Sequence, residues 1–164
     1  MGRLDSRFTG VDDRVIAETP EFDPSLAAIR PPYTAAFNHY VRTELGYRTD
    51  VSYELMNPDV LEAWNWTEAG QGDLPGVGQR LRSALSLNSK LKVLVVHGYF
   101  DLATPYFASK YVMERLELDE AIFPNIQFRV YEGGHMFYTH DRAREQLYED
   151  ARALYEQSSR TPPN

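Results

Sequence analysis

The chain has 164 residues, 43% hydrophobic and 13% aromatic, which suits one domain with a core of its own and not a disordered chain. A formal net charge of -7 argues against a nucleic-acid partner, and the absence of cysteine excludes a disulfide framework, a thiolate metal site and a cysteine nucleophile. No run approaches the roughly 18 apolar residues of a membrane span, and "MGRLDSRFTGVDDR" lacks the apolar centre of a signal peptide.

Residues 1–32 hold few apolar periodicities and many breakers, Gly10, Pro20, Pro24, Pro31 and Pro32 among them. They predict an extended arm or irregular loop, long enough that it should have a surface to pack against. Residues 33–90 read as a mainly helical and loop segment. "PPYTAAFNHYVRTELGY" places Tyr33, Phe37, Tyr40, Val41 and Leu45 on one helical face, with Gly46 as the stop. "VSYELM" alternates, as a short strand or an extended stretch would. "VLEAWNWTEAGQGDLPG" carries both tryptophans, Trp64 and Trp66, into a glycine-rich loop. "VGQRLRSALSLNSK" predicts a helix with Val77, Leu81, Ala84 and Leu85 on its inner face.

Residues 91–157 read as strand, helix, strand, helix. "LKVLVVHG" is a near-continuous aliphatic run of the kind found in parallel strands covered on both faces. "TPYFASKYVMERLEL" follows, with Thr104 as cap, Pro105 at the first helical position, and Phe107, Tyr111, Met113 and Leu116 facing inward. In "NIQFRVYEGG", Ile126, Phe128 and Val130 alternate. "HDRAREQLYEDARALYEQ" predicts a terminal helix resting on Ala143, Leu147, Ala151, Leu154 and Tyr155. Residues 158–164 are a tail. The fold class is therefore α/β, with parallel strands and a right-handed crossover.

Parallel strands end on one edge of a sheet, and that is where ligands bind. Asp101 stands just past the first strand and His135 just past the second, one βα unit apart. An acid and a histidine so placed can work as the orienting acid and general base of a Ser-Asp-His triad. Gly133 and Gly134 would permit positive φ and a tight turn that aims the ring. An aspartate after a strand also serves as a turn residue or helix cap, and a histidine after Gly-Gly can be structural. His97 reads as a packed or hydrogen-bonded strand residue, His39 as an exposed or interfacial helix residue, and Glu132 as a solvated loop carboxylate. His135 and His140 are five apart, outside the i, i+4 spacing of helical zinc sites, so no metal is expected. Of the nine serines, none lies in a Gly-x-Ser-x-Gly turn, and none follows an apolar strand and opens a helix.

"GYFDLATPYF", "YEGGHMFYTH" and the opening "GRLDSRF" resemble the C-terminal third of serine carboxypeptidases, especially bacterial members, and the resemblance runs from Gly2 to the last helix. It implies the C-terminal part of an α/β-hydrolase sheet, and an enzyme that removes C-terminal residues from peptides without a cofactor. Asp101 then matches the triad acid and His135 the triad base. Thr104 falls in the loop that lines the family's substrate pocket, where some members have a cysteine. Met136 matches the family pattern and would pack near the scissile bond. The family's serine turn, oxyanion-hole glycine and carboxylate clamp lie upstream of the part this chain resembles. The resemblance thus implies a catalytic segment that is inactive alone. Its partners would be a peptide substrate and a missing N-terminal part, and its unpaired sheet edge would be prone to association. Family members are commonly exported to the periplasm or outside the cell, but the chain itself leaves its compartment open. A non-catalytic α/β interaction module is a second reading. A fragment of an esterase or another serine peptidase is a third, although the "FDLATP" and "GGHM" wording favours the carboxypeptidase.

Overall fold

The computed structural model describes residues 1–11, 22–65 and 78–159. Expectations for Pro20, Trp66, the glycine-rich loop, Val77 and the last five residues lie outside this set. In chain order the elements are α1 (Pro24–Thr43), α2 (Pro58–Ala63), α3 (Gly78–Leu87), β1 (Val93–Gly98), α4 (Tyr106–Glu114), β2 (Ile126–Tyr131) and α5 (Asp141–Ser159). Short 3-10 turns precede and follow β2 at Phe123–Asn125 and Phe137–Thr139.

β1 and β2 pair in parallel, in a register that runs from Val93 opposite Ile126 to Gly98 opposite Tyr131. The α/β class and the parallel pairing hold among the described residues, as a two-stranded sheet with helices around it. Strand alternation sends Val93 and Val95 to one face, where they join Phe128 around a core of Leu85, Leu116 and Ile126. Leu85, from α3, is fully buried. Val96 points to the opposite face and meets Tyr131, Phe137, Ala143 and Leu147, so α5 covers that side. The Tyr131 hydroxyl donates to Asp150 of α5 at 2.8 Å, and Arg129 pairs with the same carboxylate at 2.9 Å.

Several local expectations change. The first helix begins at Pro24, nine residues before Tyr33, and contains Pro31 and Pro32. Its start is well specified: Asp23 is extended, its side chain accepts from the N–H groups of Ser25 and Leu26, and Pro24 occupies the first turn. The two interior prolines remove the N–H groups that would bond the carbonyls of Ala27 and Ala28. Both alanines are exposed, so water can replace those donors. The stop near Gly46 is as expected: α1 ends at Thr43, and Gly46 takes φ of +65° while Tyr47 donates to the Val41 carbonyl.

"VSYELM" forms no strand; Tyr53 instead stacks on Phe37 of α1 with ring centroids 3.9 Å apart. Tyr33, Phe37, Tyr40 and Leu45 are exposed, as are Ala84, Phe107, Tyr111 and Tyr155, whereas Leu81 and Met113 do pack inward. The periodicity of α1 and α4 is real, but no described element covers those faces. Thr104 does not cap α4. Pro105 takes the cap position, where its side chain has no acceptor to offer, and the Thr104 hydroxyl donates to Asp101 instead.

The first residues are not a free arm. Gly2 to Phe8 fold into a compact turn, Gly2 donating to the Phe8 carbonyl and Phe8 to the Asp5 carbonyl. Ser25 and Asp23 anchor this turn through the backbone N–H groups of Leu4 and Arg3. Its other side lies against the loops that leave β1 and β2.

Candidate active site

The two loops are stitched together at the C-terminal edge of the strands. Tyr99 donates to the Tyr131 carbonyl at 2.9 Å and Phe100 to the Gly133 carbonyl at 2.8 Å, which extends the parallel pairing past its last residue. Gly133 and Gly134 do not adopt positive φ; Gly46 is the one glycine among the described residues that does. They are needed for space. A Cβ on Gly134 would lie 2.3 Å from the Leu4 carbonyl oxygen, and one on Gly133 would lie 2.5 Å from the Phe137 Cβ.

This close packing brings Asp101 and His135 together. Asp101 Oδ2 lies 2.9 Å from His135 Nδ1, inside the roughly 2.6–3.2 Å that a working acid–base contact requires. Asp101 is 4% exposed and its carboxylate is fully engaged. Oδ1 accepts from the N–H groups of Ala103 (2.8 Å) and Thr104 (3.0 Å), and Oδ2 accepts from the Thr104 hydroxyl (2.5 Å) as well as facing the imidazole. The turn role and the histidine-holding role are thus filled by one side chain, an oxygen for each.

The tautomer follows from this network. The Asp101 carboxylate only accepts, and Thr104 spends its proton on that carboxylate, so both oxygens near Nδ1 are acceptors. Nδ1 therefore carries the hydrogen, shared between Asp101 at 2.9 Å and Thr104 at 3.2 Å. Nε2 is left with a free lone pair and no hydrogen-bond partner among the described residues, on a side chain 44% exposed. The site is a buried acid behind an accessible base.

Burial alone would raise the Asp101 carboxyl, but the hydrogen bonds from Thr104, His135 and Ala103 outweigh it and hold the group below the usual carboxylate range. Burial likewise opposes ionisation of Asp5, Asp23 and Asp150, and each is brought below that range by its own donors: Arg7, Ser25 with neighbouring N–H groups, and Tyr131 with Arg129. A depressed folded-state value means that the stabilisation is complete above the unfolded carboxylate value and is lost as pH falls through the folded one. The melting temperature should hold steady down to about pH 5 and drop below about pH 4. Asp101→Asn should melt lower at neutral pH and show a shallower acid drop. A variant whose acid drop equals that of the native chain would show that Asp101 is not coupled to folding.

The other singled-out residues take plainer places. Met136 is half-buried beside a small cavity lined by Leu4, Phe8, Ile29 and Thr139. His97 is buried on β1, and its Nε2 has no hydrogen-bond partner among the described residues. His39 and Glu132 are exposed. Among the described residues, no group of three or more His, Cys, Asp or Glu could hold a metal ion, and no helix is long and apolar enough to cross a membrane.

Asp5, Arg7 and His140 were not legible as parts of this site. Arg7 binds both oxygens of Asp5, Nε to Oδ1 at 3.0 Å and Nη2 to Oδ2 at 2.7 Å, and Nη2 lies 3.0 Å from His140 Nε2. In sequence, an aspartate and an arginine two apart look like a solvated turn, and only the buried, glycine-flanked setting marks them. No family model, curated protein or solved structure matches this chain.

Proposed function

We propose that this chain supplies the acid and base of a Ser-Asp-His triad, as a segment of an α/β hydrolase of the serine carboxypeptidase kind. One observation carries the reading. Asp101 holds Nδ1 of His135 from a buried position, while Nε2 stays open on the exposed side. In that arrangement Nε2 takes the proton of a serine hydroxyl as its oxygen attacks the scissile carbonyl. The imidazolium, stabilised by Asp101, then returns the proton to the leaving amine. The serine and the oxyanion donors would come from another segment, because no serine of this chain sits in a nucleophile turn. Thr104 serves the pair through its hydroxyl, and Met136 is a candidate wall of the substrate pocket.

The exposed aromatic face of α1 favours a second reading, a non-catalytic module that docks a protein partner. The two separate in a single assay. Release of a C-terminal amino acid from a blocked dipeptide should be absent with this chain alone. It should appear once the chain is joined to a serine-bearing segment, and should require His135. Association without any His135-dependent turnover would leave the docking module as the better account.

A further inference from the structure

We propose that Arg7 is the positioning residue of the Asp101–His135 pair, because one guanidinium ties together the N-terminal turn and the loops that carry the acid and the base. Three contacts make the tie. The bidentate bond to Asp5 fixes Arg7 within the turn, and its own N–H adds a third bond to Asp5 Oδ1 at 3.0 Å. Its Cζ lies 4.6 Å from the ring centroid of Phe100, the residue before Asp101. Its Nη2 reaches His140 Nε2, at the end of the loop that begins with His135. Arginine has donors only, so His140 presents its lone pair to the guanidinium.

The turn held in this way touches the site directly. The Leu4 carbonyl accepts the backbone N–H of His135 at 2.6 Å, and the Arg3 carbonyl accepts that of Leu102 at 3.1 Å. Ser6 donates to the Phe100 carbonyl at 2.9 Å. Gly134 leaves no room between His135 and the turn, so movement of Leu4 and Asp5 is passed to the histidine. Asp5 is 7% exposed, so the carboxylate half of the pair is buried while Arg7 reaches it from the surface, and misplacing a base by about an ångström costs on the order of 100-fold in rate.

The inference rests on His135 being the general base, and the test keeps the two ideas apart. The full chain, labelled with nitrogen-15, reports the imidazole tautomer of His135 by its ring nitrogens and the loop by amide exchange. In the native chain His135 should be a single Nδ1–H tautomer with a protected amide. Arg7→Ala should speed exchange of the His135 amide by about tenfold and give a mixture of tautomers. Signals from the Leu85 methyls should not move. Arg7→Lys keeps a cation near Phe100 but cannot hold both Asp5 oxygens and His140, so it should stay closer to the alanine variant. An unchanged tautomer and amide in Arg7→Ala would overturn the proposal. So would collapse of the Leu85 core in both variants, since a local tie does not hold α3. Asp101→Asn is the separate arm. If it leaves the tautomer unchanged, the acid–base reading itself fails; if it alters the tautomer while Arg7→Ala does not, only the role of Arg7 is lost.

Discussion

Joined to a segment that carries the serine turn, the native chain should turn over peptide substrate, and His135→Ala should lower kcat by about 10⁴-fold or more. In the proposed triad Nε2 accepts the serine proton, and neither His97 nor His140 can replace it. His97 is buried within β1, and His140 is engaged by Arg7. Asp101→Asn should cost a similar factor, about 10⁴-fold, by a different route. The amide can offer hydrogens to Nδ1, which favours the tautomer with the proton on Nε2 and leaves no lone pair for serine. Thr104→Val removes one donor from Asp101 and one of the two acceptors beside Nδ1, while the 2.9 Å contact remains. Its effect should be about fivefold, in line with loss of about 1 kcal/mol from a hydrogen bond. The double variant of His135 and Asp101 should be hardly worse than either single one, because the groups act as a unit. Equal rates for the native and His135→Ala assemblies would end the triad reading.

The part of the fold that carries this chemistry was readable because it rests on patterns local to the chain. The aliphatic run of β1 and the alternation of β2 predicted strands within three residues of Val93–Gly98 and Ile126–Tyr131. A single βα unit between Asp101 and His135 was enough to set them on one edge. What escaped was carried by groups that leave no mark in a sequence. The N-terminal turn is docked by the backbone carbonyls of Arg3 and Leu4, which any residue would supply. Pro31 and Pro32 looked like the end of an irregular arm, yet the cap at Asp23 starts the helix upstream of them, where exposed carbonyls tolerate the lost donors. Tyr33, Phe37 and Tyr40 have the period of an inner face, but period says only that a face is apolar. Burial also requires a neighbour, and no described element supplies one.

Gly98→Ala should be the most damaging small substitution in the chain, costing more than about 3 kcal/mol and removing a cooperative melt at room temperature. A Cβ there would stand 1.8 Å from the Gly134 carbonyl oxygen, 2.6 Å from its carbon and 2.7 Å from the Gly133 oxygen. All three are backbone atoms, so no rotamer change relieves the overlap. Ordinary contact begins near 3.4 Å, so the loop must retreat by more than an ångström. That retreat would stretch the bond from Phe100 to the Gly133 carbonyl and carry His135 away from Asp101. Gly46→Ala makes the matched control: its φ of +65° strains an alanine, but nothing lies within 4 Å, so the cost should be about 1–2 kcal/mol. Gly134→Ala should fall between them, because part of its overlap is with the Asp5 side chain and the N-terminal turn can shift away from the sheet. Thermal melts followed by circular dichroism rank the three directly. If Gly98→Ala melted with the native chain, the two strand-end loops would not be in the contact that sets the acid against the base, and the 2.9 Å pair would lose its structural cause.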